Sequence, residues 1–265
     1  METSSSRQLP GIIRQIITLV AIVGAFVINI ISNIFPLGGE TIGEISNGLF
    51  KDVLIIPANY AFAIWGLIYL GLFAFAIYQL LPGQRQNPAF NTAGYLITFA
   101  SLAQIAWVYL FLLRQFVLSL LAMLLILVPL IAAYQALKIN VEPVNRIRKW
   151  CVNIPIAIYL GWISVATIVN VACTLYALNW DGFGVPQIIT VVMLLIATFL
   201  GDLVRVRRYD AAYAGVVIWA LIAIAVRHFS IPVIFVTACA CAIALLLRIF
   251  IPDQPRPVLD SRSSP

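Results

Sequence analysis

The stretch Pro57-Ala58-Asn59-Tyr60-Ala61-Phe62-Ala63-Ile64-Trp65-Gly66-Leu67-Ile68-Tyr69 opens an apolar segment that continues to about Leu81. Proline fits the first turn of a helix, where its missing N–H has no intrahelical partner to lose. A helix started at Pro57 puts Trp65 about eight residues in, roughly 12 Å along the axis at 1.5 Å per residue. That is deeper than an interfacial belt aromatic sits. Trp65 and Tyr69 are four residues apart and share a face. Each joins a ring to one polar atom that needs a partner when buried. Two readings of this face stay open, helix–helix packing and a ring wall for a ligand.

The rest of the chain decides the surroundings of that helix. Of 265 residues, 63% are hydrophobic and 10% charged, whereas a soluble domain carries about 25% charged residues. The apolar excess runs the whole length, so the chain is a polytopic membrane protein with no sizeable soluble domain. A first run over 16–35 is long enough to span and ends in Asn-Ile-Phe-Pro rather than a small-x-small cleavage site, which predicts a retained helix. Seven further spans follow at 56–81, 91–113, 116–137, 151–178, 186–204, 209–228 and 230–252. Residues 1–10 and 253–265 are polar and are expected to be disordered tails. Arg14 and Asp202 fall near span ends, where charged side chains can reach the interface.

With eight spans, thirteen of the sixteen lysines and arginines share one side of the membrane, and only Lys51, Arg114 and Arg227 lie on the other. The positive-inside rule then predicts that both termini are cytoplasmic. Basic residues confined to gaps between spans are not a nucleic-acid footprint. In the longest outer gap, 36–52, Thr41 and Glu44 have capping-box spacing, and Ile42, Ile45 and Leu49 repeat at helical intervals. A short interfacial helix and a loop tacked down by apolar contacts fit this gap equally.

Central parts of the spans carry no carboxylate, lysine, arginine or histidine, and no nucleophile elbow, Walker sequence or H-E-x-x-H occurs. That speaks against proton pumping and metal-dependent hydrolysis, and no catalytic or metal-ligating residue is predicted. Cys151, Cys173, Cys239 and Cys241 form no C-x-x-C pair and read as small buried hydrophobes. His228, the only histidine, follows Arg227 at a span end and reads as an interface residue.

Two more spans repeat the aromatic theme. The third has Gln104-Ile-Ala-Trp107-Val-Tyr-Leu-Phe111, and the fifth has Tyr159-Leu-Gly-Trp162-Ile-Ser-Val-Ala166-Thr-Ile-Val-Asn170. Trp162, Ala166 and Asn170 are spaced by four, so one face shows a ring, a small gap and an amide. Such a face makes a slot for a flat molecule, and it also suits tight helix packing.

These segments, with Trp65-Gly66-Leu67-Ile68-Tyr69, resemble the TspO/MBR family, the tryptophan-rich sensory proteins or translocator proteins. The resemblance covers roughly residues 11–180. It departs from the family pattern in having one proline and Tyr60 ahead of Trp65, and Gln104 where the family has a neighbouring asparagine. It implies a five-helix membrane bundle whose long first loop closes over a pocket for porphyrins, sterol-like lipids or flat aromatic ligands.

The expected architecture is all-α: a TspO-like five-helix core over 11–180 and a three-helix membrane segment over 181–252, in a bacterial plasma membrane. The expected function is that of a ligand-binding or sensory protein, with transport of the ligand, rather than an enzyme. The alternatives are a small-solute transporter and a structural protein without a ligand. Tyr60, Trp65, Tyr69, Trp107, Phe111, Trp162 and Asn170 are expected to converge on one cavity that opens toward the 36–52 loop. No resident cofactor is expected, although a tetrapyrrole would be a natural ligand. The expected partners are a hydrophobic small molecule (porphyrin or lipid), the membrane lipids and, as a homodimer, a second copy of the chain.

Overall fold

A computed structural model describes residues 3–251, with side chains from Leu9 onward. Among these residues every regular element is a helix. In chain order they are α1 (Thr3–Ile34), α2 (Ile42–Asn47), α3 (Ile64–Leu80), α4 (Pro88–Leu112), α5 (Phe116–Ala136), α6 (Arg146–Arg148), α7 (Ile154–Ala177), α8 (Pro186–Arg208), α9 (Ala211–Arg227) and α10 (Pro232–Phe250). Seven helical segments are long and apolar enough to cross a membrane. The eighth, α9, has 17 residues, about 25 Å at 1.5 Å per residue, the lower limit for a span. Its apolar face is largely buried in the bundle.

Two expectations change at the helix starts. α1 begins at Thr3, inside the segment expected to be a disordered tail. Extending an existing helix adds one hydrogen bond per residue and needs no new nucleus, so polar residues can follow the apolar run into helix. The expected tail over 253–265 lies outside the described residues. Ahead of α3, Asn59–Ala63 winds as a 3₁₀ turn and the α-helix starts only at Ile64. Trp65 therefore stands in the first α-helical turn, one 3₁₀ turn beyond Pro57. The reason is tertiary: the Ala58 N–H is taken by Ala223 O at 3.0 Å, and Ala61 O accepts the Trp219 indole N–H at 3.1 Å.

Close helix contacts rest on small residues, as expected where no hydrophobic effect drives helices together. A Cβ on Gly71 would lie 2.8 Å from Pro155 Cβ, which brings α3 onto α7. Gly94 takes the side chain of Arg14 in the same way, and Gly161 takes Val216. The chain reverses between α4 and α5 at Arg114, in the left-handed region at φ 58°.

The charges sort to the two ends of the bundle. At one end Arg14 meets Asn91, Arg148 donates to Leu137 O, and Arg248 pairs with Asp202 at 3.1 Å. At the other, Arg114 pairs with Glu40, and Arg227 bonds Asn47. Arg14 does not reach out to the interface as expected from its position. It is fully buried, donating to Asn91 Oδ1 at 2.6 Å and Gln84 O at 3.2 Å. A polar layer lies beside it, with Gln15 bonded to Gln79 O, and Thr18 and Thr98 bonded to one another and to Gly94 O. In hydrocarbon such groups must find protein partners.

Candidate functional site

A recess lies at the end of the bundle opposite the arginine-rich end, between α3, α4, α5 and α7, with α2 across its mouth. Trp65, Trp107, Phe111, Trp162 and Asn170 all line it. The other two expected residues do not. Tyr60 is half-exposed on the 3₁₀ turn, edge-on to Trp219 with centroids 5.3 Å apart. Tyr69 is buried one turn below Trp65, where its hydroxyl donates to Ala25 O at 3.1 Å. The overwound start of α3 rotates Tyr60 toward α9, and the hydrogen bond to α1 turns Tyr69 out of the lining.

The remaining wall is apolar: Ile42, Ile56, Pro57, Phe62, Met123, Val165, Ala166, Val169 and Cys173, with Ser46 from α2. On α7 the lining residues 162, 165, 166, 169, 170 and 173 form a continuous i, i+3, i+4 stripe. Val165, Val169 and Cys173 could thus have been read from helical periodicity once Trp162 and Asn170 were in hand. Phe62, Met123, Ile42 and Ser46 carry no such signal, because tertiary packing alone brings them here.

No lining residue carries a formal charge. The polar atoms of the recess are of two kinds. Asn170 is bound into the protein: its Oδ1 accepts the Trp107 indole N–H at 2.7 Å, and its Nδ2 donates to Ser119 Oγ at 3.1 Å and Thr174 Oγ1 at 3.4 Å. An indole N–H can only donate, which sets the orientation of the amide. Asn170 therefore ties α7 to α4 and α5 and is not the free polar handle that its spacing suggested. By contrast, the indole N–H groups of Trp65 and Trp162 have no hydrogen-bond acceptor among the described residues. Phe62 stands edge-on to Trp162 at 6.1 Å, and Tyr159 packs behind Trp65 at 6.2 Å.

The 36–52 segment forms a cover. The capping box is present, with Thr41 N–H donating to Glu44 Oε2 at 2.7 Å and Glu44 N–H donating to Thr41 Oγ1 at 3.2 Å. The Thr41 N–H and, next, the Thr41 hydroxyl, both donating to Glu44 Oε2, hold the exposed Glu44 carboxyl below the usual carboxylate range. After α2, Phe50 is fully buried among Phe111, Phe116 and Tyr176, with ring centroids 4.8 to 6.1 Å away. The end of α9 clasps the same segment. Arg227 donates to Asn47 Oδ1 at 2.8 Å, Ser46 O at 3.1 Å and Pro57 O at 3.4 Å. His228 Nε2 lies 3.2 Å from Ile56 O; a carbonyl only accepts, so this nitrogen bears the proton. Burial pushes the His228 pKa down.

Gln104 lies buried on α4, outside the recess lining, and neither of its amide atoms has a partner among the described residues. No group of three or more His, Cys, Asp or Glu side chains that could hold a metal gathers among the described residues.

An all-α bundle with a ring-lined, uncharged recess beneath its first long loop defines a membrane protein of the TspO type. A family model described as TSPO-like protein matches residues 15–251, and the chain belongs to this family. The match runs on through α8, α9 and α10, past the stretch that carries the aromatic motifs. No curated protein and no solved structure matches the chain.

Proposed function

We propose that the protein binds a flat hydrophobic ligand, a tetrapyrrole or a sterol-like lipid, in the recess under α2, and that it senses or moves that ligand at the membrane. The observation that carries this reading is the pair of indoles, Trp65 and Trp162, in the recess wall, whose N–H groups have no acceptor among the described residues. An indole N–H inside a bundle normally finds a partner. A ligand with a carbonyl or ring nitrogen at its edge would supply one while its faces lie on the rings. The uncharged lining requires that any carboxylates of the ligand stay at the mouth, on the side of Arg227. By the positive-inside rule the arginine-rich end faces the cytoplasm and the mouth faces outward. In this reading the work of the site is binding: its lining is apolar apart from Ser46, Asn170, the indoles and the Cys173 thiol, and it holds no carboxylate or histidine.

Tryptophan fluorescence titration of the purified protein with porphyrins, hemes and sterols tests this. Trp65→Phe and Trp162→Phe keep most of the volume and remove the donors. Each should weaken binding about tenfold, near 1.4 kcal/mol, with little change in thermal stability. Unchanged affinity together with lowered stability in both variants would make the rings core residues and favour a structural role.

A further inference from the structure

A second concavity lies at the opposite end of the molecule. It has about 1100 Å³ of open volume between α5 and α8, with α7 as its floor. α5 and α8 scarcely touch there, so the groove opens sideways toward the bilayer. Its length is apolar, with Leu127 and Ile131 on one wall, Leu160 and Ile168 on the floor, and Leu200 and Leu203 on the other wall. The hydroxyls of Ser164 and Thr167 also face it, but each is bonded back to its own helix, to Leu160 O and Ile163 O. The head of the groove is cationic. Arg207 and Arg208 line it, Arg208 lies over the Tyr134 ring at 5.9 Å, and neither arginine has a carboxylate partner among the described residues. Of the carboxylates at this end, Asp202 pairs with Arg248, and Asp210, beside Tyr134, is buried. Asp210 accepts the Tyr134 hydroxyl at 2.7 Å and the N–H groups of Ala212 and Tyr213 at 3.0 Å each, so its charge is spent on capping α9.

We infer that this groove is a site for one anionic phospholipid, distinct from the recess under α2. The phosphate sits between Arg207 and Arg208, and an acyl chain lies along Leu203, Leu200 and Leu127. From Arg207 to Leu200 is seven residues, about 10 Å of helix at 1.5 Å per residue, so head and chain fit one amphiphile lying along α8. Charge complementarity selects the class: two guanidinium groups without a counter-charge among the described residues favour a headgroup with net negative charge over a zwitterion. The acyl wall selects a lipid over a free phosphate.

The test uses the full chain in phosphatidylcholine nanodiscs with and without phosphatidylglycerol, and native mass spectrometry counts the lipid retained on release. The unaltered protein should keep phosphatidylglycerol in preference to phosphatidylcholine. Arg207→Gln with Arg208→Gln should cut that preference about tenfold. Arg146→Gln with Lys149→Gln removes the same charge from exposed positions at the same end and should leave it intact. Ile131→Trp, which fills the groove and leaves the arginines, should also cut it, and this variant decides the matter if the double arginine variant does not fold. Equal retention of the two lipids by the unaltered protein overturns the assignment. So does an equal loss in the Arg146/Lys149 control, or an Ile131→Trp protein that keeps its preference.

Discussion

Asn170→Ala offers the sharpest check on how the recess is built. The substitution leaves the buried Trp107 indole N–H without its 2.7 Å acceptor. Ser119 and Thr174 lose less, because each hydroxyl keeps a bond to Phe116 O. One orphaned buried donor costs about 1–3 kcal/mol. Interhelical hydrogen bonds in membranes average about 0.6 and reach about 1.7 kcal/mol. The expected loss is therefore about 1–2 kcal/mol, toward the upper end because the donor has no water to turn to. Trp107→Phe should cost about 1 kcal/mol by leaving the amide oxygen unpaired. The double variant removes both partners and should cost clearly less than the sum of the two, with a coupling of about 1 kcal/mol. Reversible unfolding of the four proteins in one detergent or lipid measures the cycle. Strict additivity, or an Asn170→Ala protein as stable as the parent with altered ligand choice, would refute the structural role and return the amide to the ligand.

Other outcomes follow from the same geometry. Arg227→Gln removes the cation that holds Asn47 and Ser46 to Pro57, so limited proteolysis should cut the 36–52 segment faster while global unfolding shifts by only about 1–3 kcal/mol; an unchanged cleavage rate would deny the clasp. Cover order should also depend on pH. The lowered Glu44 pKa means that its carboxylate supports α2 above the ordinary carboxylate range and that this support is lost as pH falls through the lowered value. Hydrogen exchange over 41–48 should accelerate there, and Glu44→Gln should flatten the dependence. For His228, whose pKa burial lowers from 6.5, the contribution is full above 6.5 and declines below it, because the charged ring is buried beside Arg227 even though it still donates to Ile56 O, so the segment packed on it should open more at milder acidity; exchange at 55–58 that is flat from neutral to mildly acid pH would contradict this. Finally, Gln104→Leu replaces a buried amide without partners by an apolar group of similar size and should stabilise the bundle by about 1–3 kcal/mol, read as a raised unfolding midpoint; destabilisation would show that the amide has a partner it needs.

The apolar runs, the asymmetry of the arginines and lysines, and the rings at intervals of four by themselves determined a helical membrane bundle. Each is a consequence of one helix meeting lipid or water, and hydropathy and the 3.6-residue period record that directly. The same period placed Trp162, Ala166 and Asn170 on one face, and Thr41 with Glu44 in a capping box, because both are relations within a single helix or turn. What one helix does to another was settled only by the tertiary structure. α9 takes the backbone groups of Ala58 and Ala61, overwinds the start of α3, and so turns Tyr60 away from the recess. α1 accepts the Tyr69 hydroxyl and draws it from the lining, and Trp107 with Ser119 saturates the Asn170 amide. An isolated polar side chain in a span presents the same letter whether its partner is a ligand or a neighbouring helix. Which of the two it meets depends on partners 44 to 63 residues away in the chain, beyond the reach of any local period.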